Sequence, residues 1–174
     1  DGAVSLVAGA SKLVLRSDVP VHGKGMKTLG SFIIAQGEPR TFELSYQISH
    51  QDEVPAADPF HLLAHTERFW REWSGRCATA GPYSDHVLRC LITLKALIFQ
   101  PSGGIVAAAT TSLPEEIGGS RNWDYRFCWV RDATLTLLAL MGAGYFDEAR
   151  AWRDWLIRAV AGSPNQLQIM YAVS

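Results

Sequence analysis

The rhythm of hydrophobic and polar positions changes near residue 50. Before it, apolar residues come in short runs: Leu13-Val14-Leu15, Ser31-Phe32-Ile33-Ile34 and Thr41-Phe42-Glu43-Leu44-Ser45-Tyr46. Turn formers separate them at Ser17-Asp18-Val19-Pro20, Gly23-Lys24-Gly25 and Gly37-Glu38-Pro39, which is the grammar of strands and hairpins. Phe42, Leu44 and Tyr46 alternate with Glu43, Ser45 and Gln47, so a half-buried strand is predicted there. Only about four or five strands of ordinary length can be placed, too few to close a sandwich. Residues 1–50 are therefore expected to form the edge of a larger sheet.

After residue 50 the period lengthens. Gln51 to Pro59 is polar with two prolines and reads as a linker. Asp58-Pro59 then offers a capping carboxylate and a proline at the first helical position, and an apolar stripe of Leu62, Leu63, Phe69, Trp70 and Trp73 runs to Ser74-Gly75. A second helix, capped by Ser84 or Asp85, is apolar almost all round at Val87, Leu88, Leu91, Leu94 and Ile98, which predicts deep burial. Pro101-Ser102-Gly103-Gly104 ends it, and a stretch without helical period reaches Asn122. Long irregular loops in compact domains are often functional. Further helices are expected from about Trp129 to Leu140, stopped by Gly142 and Gly144, and from Asp147 to Ala161, with another beginning between Gln166 and Tyr171. No internal repeat stands out, so a solenoid is not expected.

Charge and composition narrow the partners. A formal net charge of -1 gives no basic face for nucleic acid or anionic membrane, and no apolar run approaches the roughly 20 residues of a membrane span. The chain opens on Asp1 with no leader pattern. Cys77, Cys90 and Cys128 are few and far apart, which suits reduced thiols in a cytoplasmic protein better than a disulfide framework.

Candidate chemistry concentrates in one place, Gly118-Gly-Ser-Arg-Asn-Trp-Asp-Tyr-Arg-Phe-Cys-Trp-Val-Arg-Asp132. Sugars present hydroxyl pairs together with apolar C–H faces, so a sugar site needs aromatic platforms beside guanidinium and carboxylate groups. Arg131-Asp132, with Trp129 two residues before, supplies that mixture. The residues alone leave a second reading open, a helix N-terminus with buried aromatics and surface ion pairs.

Thr110-Thr-Ser-Leu-Pro-Glu115, Gly118-Gly-Ser-Arg-Asn-Trp-Asp-Tyr-Arg126 and Cys128-Trp-Val-Arg-Asp-Ala133, in this order, resemble the opening of the catalytic domain in bacterial family 15 glycoside hydrolases, the glucoamylase and trehalase-like family. Gly144-Tyr145, Ala151-Trp-Arg-Asp-Trp155 and Leu167-Gln-Ile-Met-Tyr continue the likeness. The resemblance implies an α+β chain that is an internal fragment: residues 1–50 as the C-terminal remnant of a β-sandwich, 51–83 as a linker with helix, and 84–174 as the first helices of an (α/α)6 barrel. It implies that Tyr125, Trp129, Arg131 and Asp132 line the subsite for the non-reducing glucose, with Trp123 and Asp124 as further substrate contacts. The family is expected to hydrolyse α-glucosidic bonds with inversion, through two glutamates on later helices. This chain would then lack both, hold no catalytic residue, need no cofactor or metal, and bind an α-linked glucose oligosaccharide or trehalose. An incomplete barrel is also expected to self-associate through exposed apolar faces. The competing functional reading is a non-catalytic carbohydrate-binding or helical scaffold module.

Other candidates read more plainly. Glu115 or Glu116 could pair with Asp132 as acid and base, but Pro114-Glu115-Glu116 reads as a loop or helix-start carboxylate. His61 and His65 are four apart and could ligate a metal, yet no third ligand stands at a telling spacing. Gly23-x-Gly25 reads as a hairpin turn. Trp70 with Trp73 and Trp152 with Trp155 sit at helical spacing and are expected in core packing rather than as sugar platforms.

Overall fold

Five strands occupy the first fifty residues: β1 (Ala3–Ala8), β2 (Ser11–Ser17), β3 (Val21–Lys24), β4 (Lys27–Gly30) and β5 (Phe42–Ile48). The structure, a computed structural model, describes residues 3–52, 54–160, 162 and 164–174. It divides into two compact units, one running through Phe69 and the other starting at Trp70. In the first, β1, β2 and β5 form an antiparallel sheet in the order β1-β2-β5, while β3 and β4 pair as a separate hairpin. Gly9 (φ 59°) and Gly25 (φ 61°) each open the two-residue turn of a hairpin, where φ must be positive.

Register decides which side chains share a face. Leu6, Leu13 and Tyr46 stand in one cross-strand row and Val4, Leu15 and Leu44 in the next. This apolar face is largely open: Tyr46 is 65% exposed and Leu44 64%. The other face holds Val14, Arg16, Glu43, Ser45 and Gln47, and it is the buried one, with Val14 and Gln47 both enclosed. The Arg16 guanidinium donates to Glu43 Oε1 at 3.2 Å and to the Val54 carbonyl at 2.6 Å, and the Val54 N–H donates to Gln47 Oε1 at 3.1 Å. Backbone after β5 thus folds over the polar side.

The β5 alternation is therefore a strand, as the pattern predicts, but with its sides exchanged, because hydrogen-bonding backbone covers the polar side. Ser31-Phe32-Ile33-Ile34 forms no strand at all. These residues are irregular and exposed, since β5 rather than this run takes the place beside β2.

Helix α1 (Pro59–Ser74) spans the boundary between the units. It starts where the sequence indicates, with the Phe60 N–H donating to the Asp58 carboxylate at 3.0 Å. Helices α2 (Ser84–Ala96), α3 (Val130–Gly142) and α4 (Phe146–Ala159) follow. Gly144 (φ 93°) ends the turn after α3, where the N–H groups of Ala143, Gly144 and Tyr145 return to the carbonyls of Leu140 and Met141. Two short ladders complete the second unit: β6 (Ile98–Phe99) with β7 (Gly104–Ile105), and β8 (Cys128–Trp129) with β9 (Met170–Tyr171). Only glycine suits position 103, because a Cβ there would lie 2.5 Å from the Ala151 carbonyl oxygen of α4. The β1-β2-β5 sheet and the β3-β4 hairpin thus precede the helices, and the two short antiparallel ladders are interspersed with them, an α+β arrangement.

Helix α3 serves two cores. Leu140 packs with Trp73, Leu91, Ala143 and Tyr145, while Ala133 and Leu137 pack with Ile105, Cys128 and Trp155. In the first core the Tyr145 ring stacks on Trp73, centroids 4.1 Å apart and 14° from parallel, and its hydroxyl donates to the Trp73 carbonyl at 3.0 Å. Burial pushes the Tyr145 phenol up to about 12. Beneath them lies the buried carboxylate of Glu148, whose Oε1 accepts from Trp73 Nε1 at 2.7 Å and Lys95 Nζ at 3.0 Å. Burial by itself raises this carboxyl, but the bonds from Trp73 and Lys95 outweigh it and hold Glu148 below the usual glutamate range. Trp73 and Trp155 are core residues, as their helical spacing predicts.

Three expectations for this unit are corrected. Helix α2 is not deeply buried: among its residues Leu91 is enclosed and Val87 is exposed, because the core that Leu91 joins with Trp73 and Leu140 covers part of its surface and leaves the rest open. Its N-cap is Tyr83, with no side-chain cap bond, so neither Ser84 nor Asp85 closes it. Gln166 to Tyr171 starts no α-helix. A 3-10 turn at Pro164–Gln166 leads into β9, which hydrogen-bonds to β8 instead.

Candidate functional site

The segment from Val106 to Phe127 leaves the second core and returns to it, and backbone pairing fixes where each side chain stands. The Ala107 N–H donates to the Phe127 carbonyl at 3.1 Å, Ala108 to Tyr125 at 2.9 Å and Ser112 to Trp123 at 2.7 Å, with a bridge between Thr111 and Asp124. The returning limb enters β8 at Cys128, which is fully buried. The Val130 N–H then donates to the Ile169 carbonyl at 3.1 Å, and α3 begins. An irregular loop is thereby anchored at both ends to a ladder and a helix. The buried Cys128 thiol is pushed up by desolvation, which makes it a packing residue rather than a nucleophile.

Three of the site residues expected from the sequence are brought into one cluster. Tyr125 and Trp129 meet edge to face, centroids 5.9 Å apart at 63°, and Trp129 Nε1 donates to the Asp124 carbonyl at 3.1 Å. The Trp129 indole is thereby held against Tyr125, and both rings are half-buried. The Asp124 carboxylate takes both prongs of Arg126, Nε at 3.0 Å and Nη2 at 2.8 Å. That hydrogen bonding holds Asp124 below the usual aspartate range. It is an ionised acceptor, not a proton donor.

Arg131 and Asp132 follow this cluster in the chain, in the first turn of α3. Arg131 Nη2 lies 3.1 Å from Asp132 Oδ2, and the Arg131 side chain is 77% exposed. The first turn of a helix favours the Asp132 charge, and an exposed guanidinium beside it leaves both groups free to exchange partners with an incoming hydroxyl pair. Trp123 lies farther along the returning limb, 43% exposed. Its Nε1 donates to Glu115 Oε1 at 3.1 Å, and Glu115 Oε2 pairs with Arg121 at 3.2 Å. Glu115 is thus engaged as a loop carboxylate.

Two partners here are not apparent from the sequence. Arg126 locks Asp124, and Glu115 holds the indole of Trp123. Only the i,i+2 spacing of Asp124 and Arg126 was a local signal. Glu115 and Trp123 are eight residues apart in irregular chain, where no periodicity could link them. Among the described residues no group of three or more His, Cys, Asp or Glu side chains could hold a metal ion, and no helix is long and apolar enough to cross a membrane.

Comparison with known proteins gives this geometry a context. Residues 81–174 match the model of glycosyl hydrolases family 15. The chain is 43% identical over 162 residues to a trehalase of Thermoplasma volcanium, covering 91% of this chain and 25% of that protein. It is 38% identical over 116 residues to a trehalase of Mycobacterium tuberculosis, covering 62% of this chain and 16% of that protein. Identity reaches 50% over 92 residues with trehalase 1 of Sulfolobus acidocaldarius, covering 52% of this chain and 16% of that protein. The chain therefore spans a quarter or less of the length of these curated relatives. No solved structure gives a significant match. The family match covers more than half of the chain and takes in both the Asp124–Tyr125–Trp129 cluster and the Arg131–Asp132 pair, so this chain belongs to glycosyl hydrolases family 15.

Proposed function

We propose that the chain is a section of an inverting α-glucoside hydrolase, supplying part of the subsite for the non-reducing glucose and inactive by itself. The observation that carries this reading is the juxtaposition of Asp124, Tyr125 and Trp129 just before a helix whose first turn holds Arg131 and Asp132. Tyr125 and Trp129 give an oriented aromatic corner for the C–H face of a pyranose. Arg131 and Asp132 offer donors and acceptors for its outer hydroxyls, and Trp123 offers a further face. The substrate is trehalose or an α-linked glucose oligosaccharide, consistent with the trehalase names of the relatives.

Inversion needs a protonated acid and a carboxylate base about 6.5–9.5 Å apart, with water between. Two carboxylates near the aromatic cluster are held by other partners, Asp124 by Arg126 and Glu115 by Trp123 and Arg121. The family resemblance implies that the acid and base are two glutamates of the longer protein, on later helices of an (α/α)6 barrel. Residues 84–174 are the start of that barrel, 51–83 a linker with helix, and 1–50 the C-terminal remnant of a β-sandwich. The open apolar face of the β1-β2-β5 sheet supports the last assignment, since a second sheet would cover it. Left open, that face and exposed Leu135, Leu138 and Ile157 favour self-association. The three free cysteines accord with a reducing, cytoplasmic setting.

Kinetics of the full-length protein test the site. Arg131→Ala should lower kcat/KM for trehalose or maltose at least tenfold, about 1.4 kcal/mol of transition-state binding. Wild-type kinetics in that variant would remove Arg131 from the sugar site.

A further inference from the structure

Trp123 is held more firmly than an exposed side chain needs to be. Its backbone is gripped on both sides by Ser112, whose N–H donates to the Trp123 carbonyl at 2.7 Å and whose Oγ accepts from the Trp123 N–H at 2.7 Å. Its indole N–H is tied to Glu115 Oε1 at 3.1 Å. Glu115 is itself fixed, by Arg121 Nη1 on Oε2 at 3.2 Å and by its own N–H to the Arg121 carbonyl at 3.3 Å. Yet the ring is 43% exposed, so hydrophobic burial does not account for this ordering. Fixing an aromatic side chain costs conformational entropy, and that cost is recovered when a ligand meets a ring already in place.

We propose that Glu115 is a positioning residue that presents the face of Trp123 to a glucose ring of an α-linked substrate, with Arg121 fixing Glu115 in turn. The inference rests on the sugar-site reading above and adds a device to it. Glu115 touches no substrate. Its carboxylate, itself half-exposed, holds the indole by its N–H edge and so leaves the ring faces clear of that bond. Arg121 steadies that acceptor and keeps it from competing for sugar hydroxyls.

The test is a double-mutant cycle in the full-length protein, read as KM and kcat for trehalose and for maltotriose. Glu115→Ala should raise KM for at least one of them roughly threefold to tenfold, the worth of one hydrogen bond, with kcat within about twofold. Glu115→Gln should restore KM, because the amide oxygen still accepts from the indole N–H. Trp123→Phe keeps a platform but no donor, and in that background Glu115→Ala should have no further effect. Additive effects of Glu115→Ala and Trp123→Phe would overturn the proposal, as would failure of Glu115→Gln to rescue. Arg131→Ala, run in parallel, separates the two levels. If it impairs turnover while Glu115→Ala and Trp123→Ala match wild type, the positioning role falls and the sugar site stands. If all three match wild type, both fall.

Discussion

The β1-β2-β5 sheet and the helical unit that starts at Trp70 treat their apolar and charged residues in opposite ways. In the sheet, Leu44 and Tyr46 face outward while Arg16, Glu43 and Gln47 lie under backbone from the chain after β5. In the helical unit, Trp73, Leu140 and Tyr145 close over the buried carboxylate of Glu148, and the charges of Arg131 and Arg126 point to solvent. One region is finished without further partners on its charged side and unfinished on its apolar side. The other has built its core and sets half-buried Tyr125 and Trp129 beside the exposed charges of Arg126 and Arg131, while Leu135, Leu138 and Ile157 on α3 and α4 stay exposed. The difference separates two kinds of exposure. Bare Leu and Tyr in a sheet face call for protein, whereas Tyr125 and Trp129 beside Arg–Asp pairs are the arrangement proposed above to meet a sugar.

The sharpest way to break this comparison is through Glu148. Replacing it with Ala leaves Lys95 and the indole N–H of Trp73 without their shared acceptor, and should destabilise the helical unit by roughly 3 kcal/mol in denaturant unfolding. A loss near zero would mean that the polar centre of that core contributes nothing to its stability.

Replacing Leu44 with Lys examines the other region. In the 174-residue chain it should change stability by no more than about 0.5 kcal/mol while reducing self-association in sedimentation. In the full-length protein the same change should cost more than roughly 2 kcal/mol, because a second sheet would bury the charge. Equal small effects in both settings would remove the sandwich assignment.

Acid should act on the two regions unequally. The folded pKa of Glu148 is lowered, so its contribution is present above the ordinary glutamate value of about 4.3 and is lost as pH falls through the folded value. Wild type should therefore lose stability in that window more steeply than Glu148→Gln, measured by denaturant midpoints from pH 6 downward to about pH 3. Parallel curves would place the acid-sensitive group elsewhere.

Much of the helix pattern was legible in the chain. Asp58-Pro59 gives the start of α1, Gly144 the stop after α3, and the i,i+3 tryptophans the core. Each is a local rule acting within one turn of helix. What escaped the sequence depended on distant partners. Alternation at Phe42 to Gln47 identifies a strand, but only the backbone at Val54 decides which side it buries. The apolar surround of α2 indicates burial, yet how much of it is covered depends on which elements reach it. Glu148 stands out only as an acid in a first helical turn until Trp73, seventy-five residues earlier, is seen to bond it. In the candidate site the chemistry was readable as residue types. The locks on Asp124 and Trp123 were not, because they close across an irregular loop.

The most direct measurement is release of glucose from trehalose, maltose and a longer α-glucan by the purified 174-residue chain, shown to be folded by circular dichroism, beside the full-length protein at equal molarity. Turnover of at least one substrate is expected from the full-length protein and none from the chain, because the groups proposed here would bind sugar without transferring protons. Turnover by the chain would mean that two carboxylates within these residues perform the hydrolysis, and the assignment of the catalytic pair to later helices would be wrong.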